Sequence, residues 1–241
     1  MMDIDIKGDI ISDDYAWLYD WLGYSYTSPS TVVNKIKEAN GEDLYIKINS
    51  PGGDVFSASE IYSELRAYKG NVNIKIIGLA ASAASVISMA GYSSMSPTAQ
   101  LMVHNVSSCA CGDYRDMDHM SEVLKNANDT IANAYISKSG MSREQALELM
   151  NNETYLSPQK AKELGLIDEI MFEDTNKGIL SNLSNVNLQG FYNSASSIPR
   201  ELIENLMKNV KGSQPINKVD FLMQQKAKAE MELIKMKGSV R

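Results

Sequence analysis

An α/β fold on a mainly parallel sheet is what this sequence predicts, and three observations carry that expectation. Strand-like and helix-like patterns alternate from the N-terminus to about residue 172. Two strand-to-helix junctions, "SPGGD" and "GLAASA", are built from glycine and other small residues, as crossover units with tight turns require. An apolar fraction of 44% with 22% charged residues is that of an ordinary globular protein, and 241 residues suffice for a large core.

The elements follow in order. "DIDIKGD" alternates apolar and polar residues and predicts a strand, and "SDDYAWLYDWLG" predicts a helix entered through capping residues and stopped by glycine. "SPSTVVNKIKEANG" predicts a second helix with a serine cap and an Asn-Gly stop. "EDLYIKIN" reads as a strand broken by "SPGGD", after which Val55, Ile61, Tyr62, Leu65 and Tyr68 fall near one helical face. "VNIKIIG" is the next strand, and "GLAASAASVISMAG" follows it as a tightly packed small-residue helix. "AQLMVHN" resumes the strand pattern. One long helix is expected from Asp113 to about Ser139, ended by Gly140, and a shorter one over "SREQALELM", with a serine cap and a glutamate closing a capping box. "SPQKAKELGLIDEIMF" predicts a short helix, a glycine stop and a final strand.

Beyond Phe172 the texture changes. Residues 173–198 are rich in Asn and Ser without a sustained period and read as a linker, and 199–241 predict two helices in a basic tail. In the second of these Val219, Leu222, Lys226, Ala229, Leu233 and Met236 recur at spacings of three and four, which fits a short coiled-coil seam or a helix lying on its own core. The segment 173–241 carries a net charge of +3 against −10 for the residues before it, so two functional parts are expected. The overall charge of −7 argues against nucleic-acid binding, since no basic patch competes for phosphate. No apolar run reaches about 18 residues and the acidic start is unlike a signal peptide, so no membrane is expected and the reading is cytosolic. Cys109 and Cys111 are expected to be free thiols on one face of a strand, with no metal and no cofactor.

The two glycine-containing turns end adjacent parallel strands, where ligands usually bind in such sheets. Gly52 and Gly53 allow close backbone approach, and the start of the next helix adds unsatisfied N–H groups, which together can form an oxyanion hole. Ser82 lies at the first turn of that helix and is the candidate nucleophile. Ser85 and Ser88 lie deeper, where packing against the sheet is expected. A serine needs a base, and the chain has two histidines. His104 ends a strand facing the same crevice, whereas His119 sits mid-helix among acidic neighbours and reads as part of a solvated face.

These segments, "YIKINSPGGDVFSASEIY", "GLAASAASVISMAG", "AQLMVHN" and "ETYLSPQKAKELGLIDEI", resemble in order and separation those of the Clp peptidase family, serine peptidases of the crotonase-like superfold, over residues 3–172. "GDYRDMDHMSEVLKNAN" and "GDIISDDYAWLYDWLG" resemble the phage and prophage branch called head maturation proteases. The resemblance implies a Clp-like domain over 1–172, with Ser82 as nucleophile, His104 as general base, and the backbone N–H groups of Gly53 and Ala83 as the oxyanion hole. Glu153 stands where the family usually has an aspartate, and Asp113 and Asp116 are the alternative acids. Its further implications are a homo-oligomeric ring and polypeptide substrates, here capsid or scaffold proteins cleaved in the bacterial host cytoplasm at the phage procapsid. The chain begins almost at its first core strand, where unfoldase-coupled members carry a gating segment, so an ATP-independent endopeptidase is expected. "NVSSCACGD" stands where the family has a Gly-rich strand that pairs with substrate and helps hold rings together. A catalytically silent assembly protein and an ATPase-coupled subunit are the alternatives. Acyl-CoA chemistry on the same superfold has no need of the serine and histidine.

Overall fold

The computed structural model describes residues 1–173, so the linker of 173–198 beyond its first residue and the tail helices of 199–241 lie outside the described residues. Strand β1 (Met2–Ile10) leads through a single 3-10 turn into helix α1 (Ala16–Leu22) and strand β2 (Tyr26–Thr27). Helix α2 (Pro29–Ala39), strand β3 (Leu44–Gly53), helix α3 (Val55–Ala67) and strand β4 (Val72–Ala81) follow. Next come helix α4 (Ala83–Ser88), strands β5 (Tyr92–Met95) and β6 (Gln100–Val103), and the long helix α5 (Tyr114–Ser139). Helix α6 (Arg143–Asn151), strand β7 (Thr154–Leu156), helix α7 (Pro158–Glu163) and strand β8 (Glu169–Ile170) complete the described chain. Among the described residues no helix is long and apolar enough to cross a membrane.

The strands form one sheet in the order β2-β1-β3-β4-β5-β8, all parallel, with β6 joining β4 and β7 pairing antiparallel with β6. The mainly parallel α/β architecture is thus as the alternating patterns predict. The core is aliphatic: Ile4, Ile6, Ile46, Ile48, Ile74 and Ile76 are all buried along β1, β3 and β4. Helices α2 and α3 contribute Val32, Ile36, Ala58, Ile61 and Leu65 to the same cluster. The strands carry apolar residues at every second position because the other face of each is left partly exposed.

One irregularity gives the sheet its functional shape. Between Ile48 and Ser50 of β3 the register with β4 shifts, so that Ser50 pairs with Ala80. The side chain of Asn49 fills the offset, its Oδ1 accepting the Leu79 N–H at 3.1 Å in place of a backbone carbonyl. Gly78 makes room for it, since a Cβ there would stand 2.5 Å from Asn49 Oδ1. Beyond this point β4 exchanges its neighbour: Asn73 to Ile76 pair with β5, whereas Leu79 to Ala81 pair with β6.

Several expectations need correction. Strand β3 is not broken by "SPGGD" but runs through Gly53, and β4 runs to Ala81, absorbing the first residues of the small-residue stretch. The helix expected over that stretch is therefore only 6 residues long. Tyr68 caps α3 in an extended conformation and does not continue its apolar face. The capping box of α6 closes on Gln145, not on a glutamate, which instead sits within the first turn as Glu144. Cys109 and Cys111 are exposed thiols, and residues 104–111 hold no strand, so the one-face-of-a-strand reading fails. Loss of a pairing partner explains this: β6 ends at Val103, and β7 beside it has only 3 residues.

Helix α5 has 26 residues, but its buried side chains, Ile131, Ala132, Ala134 and Tyr135, all lie in its second half. That half is fastened by Lys138, which donates to the Gly91 carbonyl at 2.8 Å and pairs with Asp168. Asp168 in turn accepts the Ser93 N–H at 2.7 Å, joining α5, β5 and the approach to β8. The first half leaves Tyr114, Met117 and Val123 exposed.

The alternation along β4 is directly testable. Ile76→Ala removes a side chain that is 0% exposed and is expected to cost about 2–5 kcal/mol in chemical denaturation of the full chain. Ile77→Ala, at 41% exposure on the opposite face, is expected to cost less than about 1 kcal/mol.

Candidate active site

The site grows from the end of β4. Ser82 follows the strand directly and is the N-cap of α4, with φ 53° and ψ −126°. A non-glycine residue pays steric strain there, of the order of 1–3 kcal/mol, and holds the angle only where its surroundings impose it. Three contacts impose it. The Ser82 N–H donates to the Met102 carbonyl of β6 at 3.0 Å, and the Ser82 carbonyl accepts both the Ser85 N–H at 2.9 Å and the Ser85 hydroxyl at 2.6 Å. Ser85 also meets the hydroxyl of Tyr135 at 2.7 Å, and Ser88 donates to the Ser85 carbonyl. Both deeper serines are fully buried, so their hydroxyls serve the helix while that of Ser82 is left for the crevice. Burial pushes the Tyr135 phenol up to about 12, so it remains a neutral partner of Ser85 at any working pH.

Because Met102 holds the Ser82 backbone, the residue two further on, directly after the end of β6, is brought alongside. That residue is His104, whose Nε2 stands 2.7 Å from Ser82 Oγ. The imidazole is half-buried, and this desolvation lowers its proton affinity below the ordinary histidine value, while the Glu153 carboxylate opposes the shift. His104 is accordingly neutral at pH 7, the state in which Nε2 accepts the proton of Ser82.

Strand β7 accounts for the presence of Glu153. Its antiparallel register sets Val103 opposite Thr154 and Met102 opposite Tyr155, so His104 and Glu153 directly flank the same end of this ladder and their charges interact. Glu153 itself leaves the strand at φ 45°, and its Oε1 accepts the Tyr155 hydroxyl at 3.2 Å. It acts on His104 through its charge. The alternative acids are employed elsewhere: Asp113 and Asp116 form the capping box of α5, and Asp113 also pairs with Arg115. His119 is exposed on the same helix and belongs to its solvated face.

The glycines of β3 complete the crevice. Gly52 adopts φ 98° and lies against the serine turn, where a Cβ would stand 2.6 Å from the Ala81 carbonyl oxygen, 2.7 Å from Ser82 Cβ and 2.9 Å from Ala83 N. Gly53, at φ 145°, packs against Ile10, whose carbonyl oxygen would lie 2.1 Å from an added Cβ. No side chain fits either position. The turn is also held from inside, by Ser50 Oγ accepting the Gly52 N–H at 3.1 Å and donating to the Gly8 carbonyl at 2.6 Å. Ala83 is the first residue of α4, and an N–H there has no acceptor within its own helix. The structure thus brings the Gly52–Gly53 turn, Ala83, Ser82 and His104 together, with Glu153 at the edge. The Met102 carbonyl, the Ser85–Tyr135 clamp and strand β7 are the supporting parts that sequence patterns did not reveal.

A serine on a strained strand-to-helix turn, bonded to a neutral imidazole and backed by glycine-turn amides, is the arrangement of a nucleophilic hydrolase. Residues 31–174 match the family model for Clp protease, a span that contains Ser82, His104 and Glu153. The chain belongs to the Clp protease family. It is 29% identical over 133 residues to the ATP-dependent Clp protease proteolytic subunit of Deinococcus radiodurans, covering 54% of this chain and 65% of that relative. It is 30% identical over 138 residues to the ATP-dependent Clp protease proteolytic subunit 1 of Chlamydia abortus and 31% identical to that of Chlamydia muridarum, covering 71% of each and 55% of this chain.

Three outcomes test the site. Ser82→Gly removes the hydroxyl and relieves the left-handed strain, so it is expected to abolish turnover while raising stability by about 1 kcal/mol in a denaturation experiment. Since His104 must be neutral to act, activity is expected to be full at pH 7 and to fall only as pH drops below the ordinary histidine value of about 6.5. Glu153→Gln removes the charge that raises His104, so the acid limb of kcat/KM is expected to move to still lower pH, with the plateau falling roughly tenfold or more.

Proposed function

We propose that this protein is a serine endopeptidase working through an acyl-enzyme. The observation that carries this reading is the 2.7 Å contact between Ser82 Oγ and His104 Nε2 at a turn held in a left-handed conformation. Ser82 Oγ attacks the carbonyl carbon of an extended peptide while His104 Nε2 takes its proton. The N–H groups of Gly53 and Ala83 receive the developing oxyanion, each worth about 3–4 kcal/mol in the transition state. Collapse of the intermediate expels the amine, which carries off the proton from His104, and water then releases the acid by the same steps. The Glu153 carboxylate stabilises the imidazolium formed on the way, one methylene longer than the aspartate usual in the family.

The polypeptides cut are capsid or scaffold proteins of a phage or prophage head, processed without ATP at the procapsid in the host cytoplasm. The segment resemblance to head maturation proteases supports this assignment. A homo-oligomeric ring is part of the proposal, and the exposed Tyr114, Met117 and Val123 of α5 supply apolar surface for contact between copies. The basic segment 173–241 serves as a targeting segment for assembly. A second reading, a peptidase subunit fed by an ATPase, is favoured by the names of the relatives, all ATP-dependent proteolytic subunits.

Intact-mass analysis with a fluorophosphonate probe tests the chemistry. One adduct per wild-type chain and none on Ser82→Ala is expected, whereas a folded oligomer without adduct would leave a structural protein on a peptidase fold. Incubating the active enzyme with purified scaffold protein in the absence of nucleotide separates the two peptidase readings. Cleavage supports the maturation protease, and cleavage only after addition of an unfoldase and ATP supports the ATPase-coupled subunit.

A further inference from the structure

Asp9 is a buried carboxylate that the reaction steps above do not use. It is 7% exposed, and among the described residues no cation pairs with it. Its polar contact is the hydroxyl of Tyr19, which donates to Asp9 Oδ2 at 3.0 Å from helix α1, where Tyr19 is itself 3% exposed. A carboxylate in such a place costs more than an apolar side chain unless it holds something in position.

What it adjoins is the glycine turn. In the β1–β3 ladder Asp9 stands opposite Gly52 and Ile10 opposite Gly53. The carbonyls on either side of Asp9 both grip that turn: the Gly8 carbonyl accepts Ser50 Oγ at 2.6 Å and the Ile10 carbonyl accepts the Asp54 N–H at 2.8 Å. Gly53 lies against the Ile10 backbone and Gly52 against Ser82, so any shift of β1 at Asp9 passes through the turn to the nucleophile. The register also changes between Lys7 and Asp9, with the extra residue in β3, and Gly8 between them adopts φ 67°, which breaks the alternation of β1 and leaves Asp9 buried. The side-chain bond to Tyr19 secures the strand at that irregular point.

We propose that Asp9, anchored by the Tyr19 hydroxyl, is a positioning residue for the oxyanion-binding turn, fixing the end of β1 so that the Gly53 N–H is aimed beside Ser82. This assignment rests on the serine-peptidase reading for its effect on rate, but not for its effect on the turn. Asp9 touches neither substrate nor reacting atoms in this role. Its contribution is confined to the geometry of one donor, and it therefore acts on the transition state more than on substrate binding.

The test uses the full chain with Asp9→Ala, Asp9→Asn and Tyr19→Phe. Hydrogen exchange of the peptide spanning residues 50–54 reads the turn directly, and kcat and KM on a peptide substrate read its consequence. Asp9→Ala is expected to speed exchange in that peptide about tenfold or more and to lower kcat roughly 10- to 100-fold, with KM within about twofold of wild type. Asp9→Asn, which keeps an oxygen to accept the Tyr19 hydroxyl, is expected to restore most of both. Tyr19→Phe keeps the ring in place and is expected to reproduce the direction of the Asp9→Ala effects, and it carries the test alone if Asp9→Ala does not fold. Wild-type exchange across 50–54 in these variants overturns the proposal, as does an Asp9→Asn protein no better than Asp9→Ala. If the wild type shows neither turnover nor fluorophosphonate labelling, the peptidase reading fails, and the exchange comparison still decides whether Asp9 holds the turn.

Discussion

The backbone of Ser82 is the constraint on which the rest of the site depends. Its left-handed turn puts Oγ into the crevice, and this conformation survives only because neighbouring elements grip it from several sides. Strand β6 takes its N–H through the Met102 carbonyl, helix α4 takes its carbonyl through Ser85, and β3 presses Gly52 against it. The register shift at Asn49 is what allows β4 to leave β5 and reach β6 just before this turn. A continuous β4–β5 ladder would leave the serine without the strand that carries its histidine.

The same pairing settles the electrostatics. β6 delivers His104 two residues beyond the carbonyl that holds Ser82, and β7 begins one residue after Glu153, at the same end of the ladder. Burial keeps the imidazole neutral and able to accept a proton, while the Glu153 carboxylate opposes that shift and, in the proposed mechanism, favours the imidazolium. These opposing influences are set by two short strands. In the proposed mechanism their value lies in fixing where three side chains and two backbone amides meet, since donors already in place cost no reorganisation during reaction.

Much of this was legible in the sequence because the chemistry sits where local pattern is strongest. Ser82 and the Gly52–Gly53 turn mark strand ends, and His104 directly follows an apolar strand. Strands β2, β5 and β7 have between 2 and 4 residues, too few for alternation to be recognised, and β7 in particular exists only through its pairing with β6, whereas the final strand expected in "SPQKAKELGLIDEIMF" is present as β8. The extent of β4 was hidden for another reason: Leu79, Ala80 and Ala81 carry small-residue composition shared with the helix after them, and pairing with β6, and of Ala80 with β3, makes them strand. Asp9 is hidden in a similar way. It continues an apolar–polar alternation whose polar members Asp3, Asp5 and Lys7 are exposed, yet the positive φ of Gly8 breaks that alternation and leaves Asp9 buried. Cys109 and Cys111 look like strand residues by spacing, but no neighbour offers them a ladder.

The central claim is that one crevice joins an activated Ser82 to amides of Gly53 and Ala83. A crystal structure of this 241-residue chain with a peptide boronate measures this arrangement directly. The account predicts boron bonded to Ser82 Oγ, one boronate oxygen within hydrogen-bond distance of both the Gly53 and Ala83 N–H groups, and His104 Nε2 still beside Oγ. A boronate attached at another residue, or one on Ser82 whose oxygens all face away from those two amides, would contradict it.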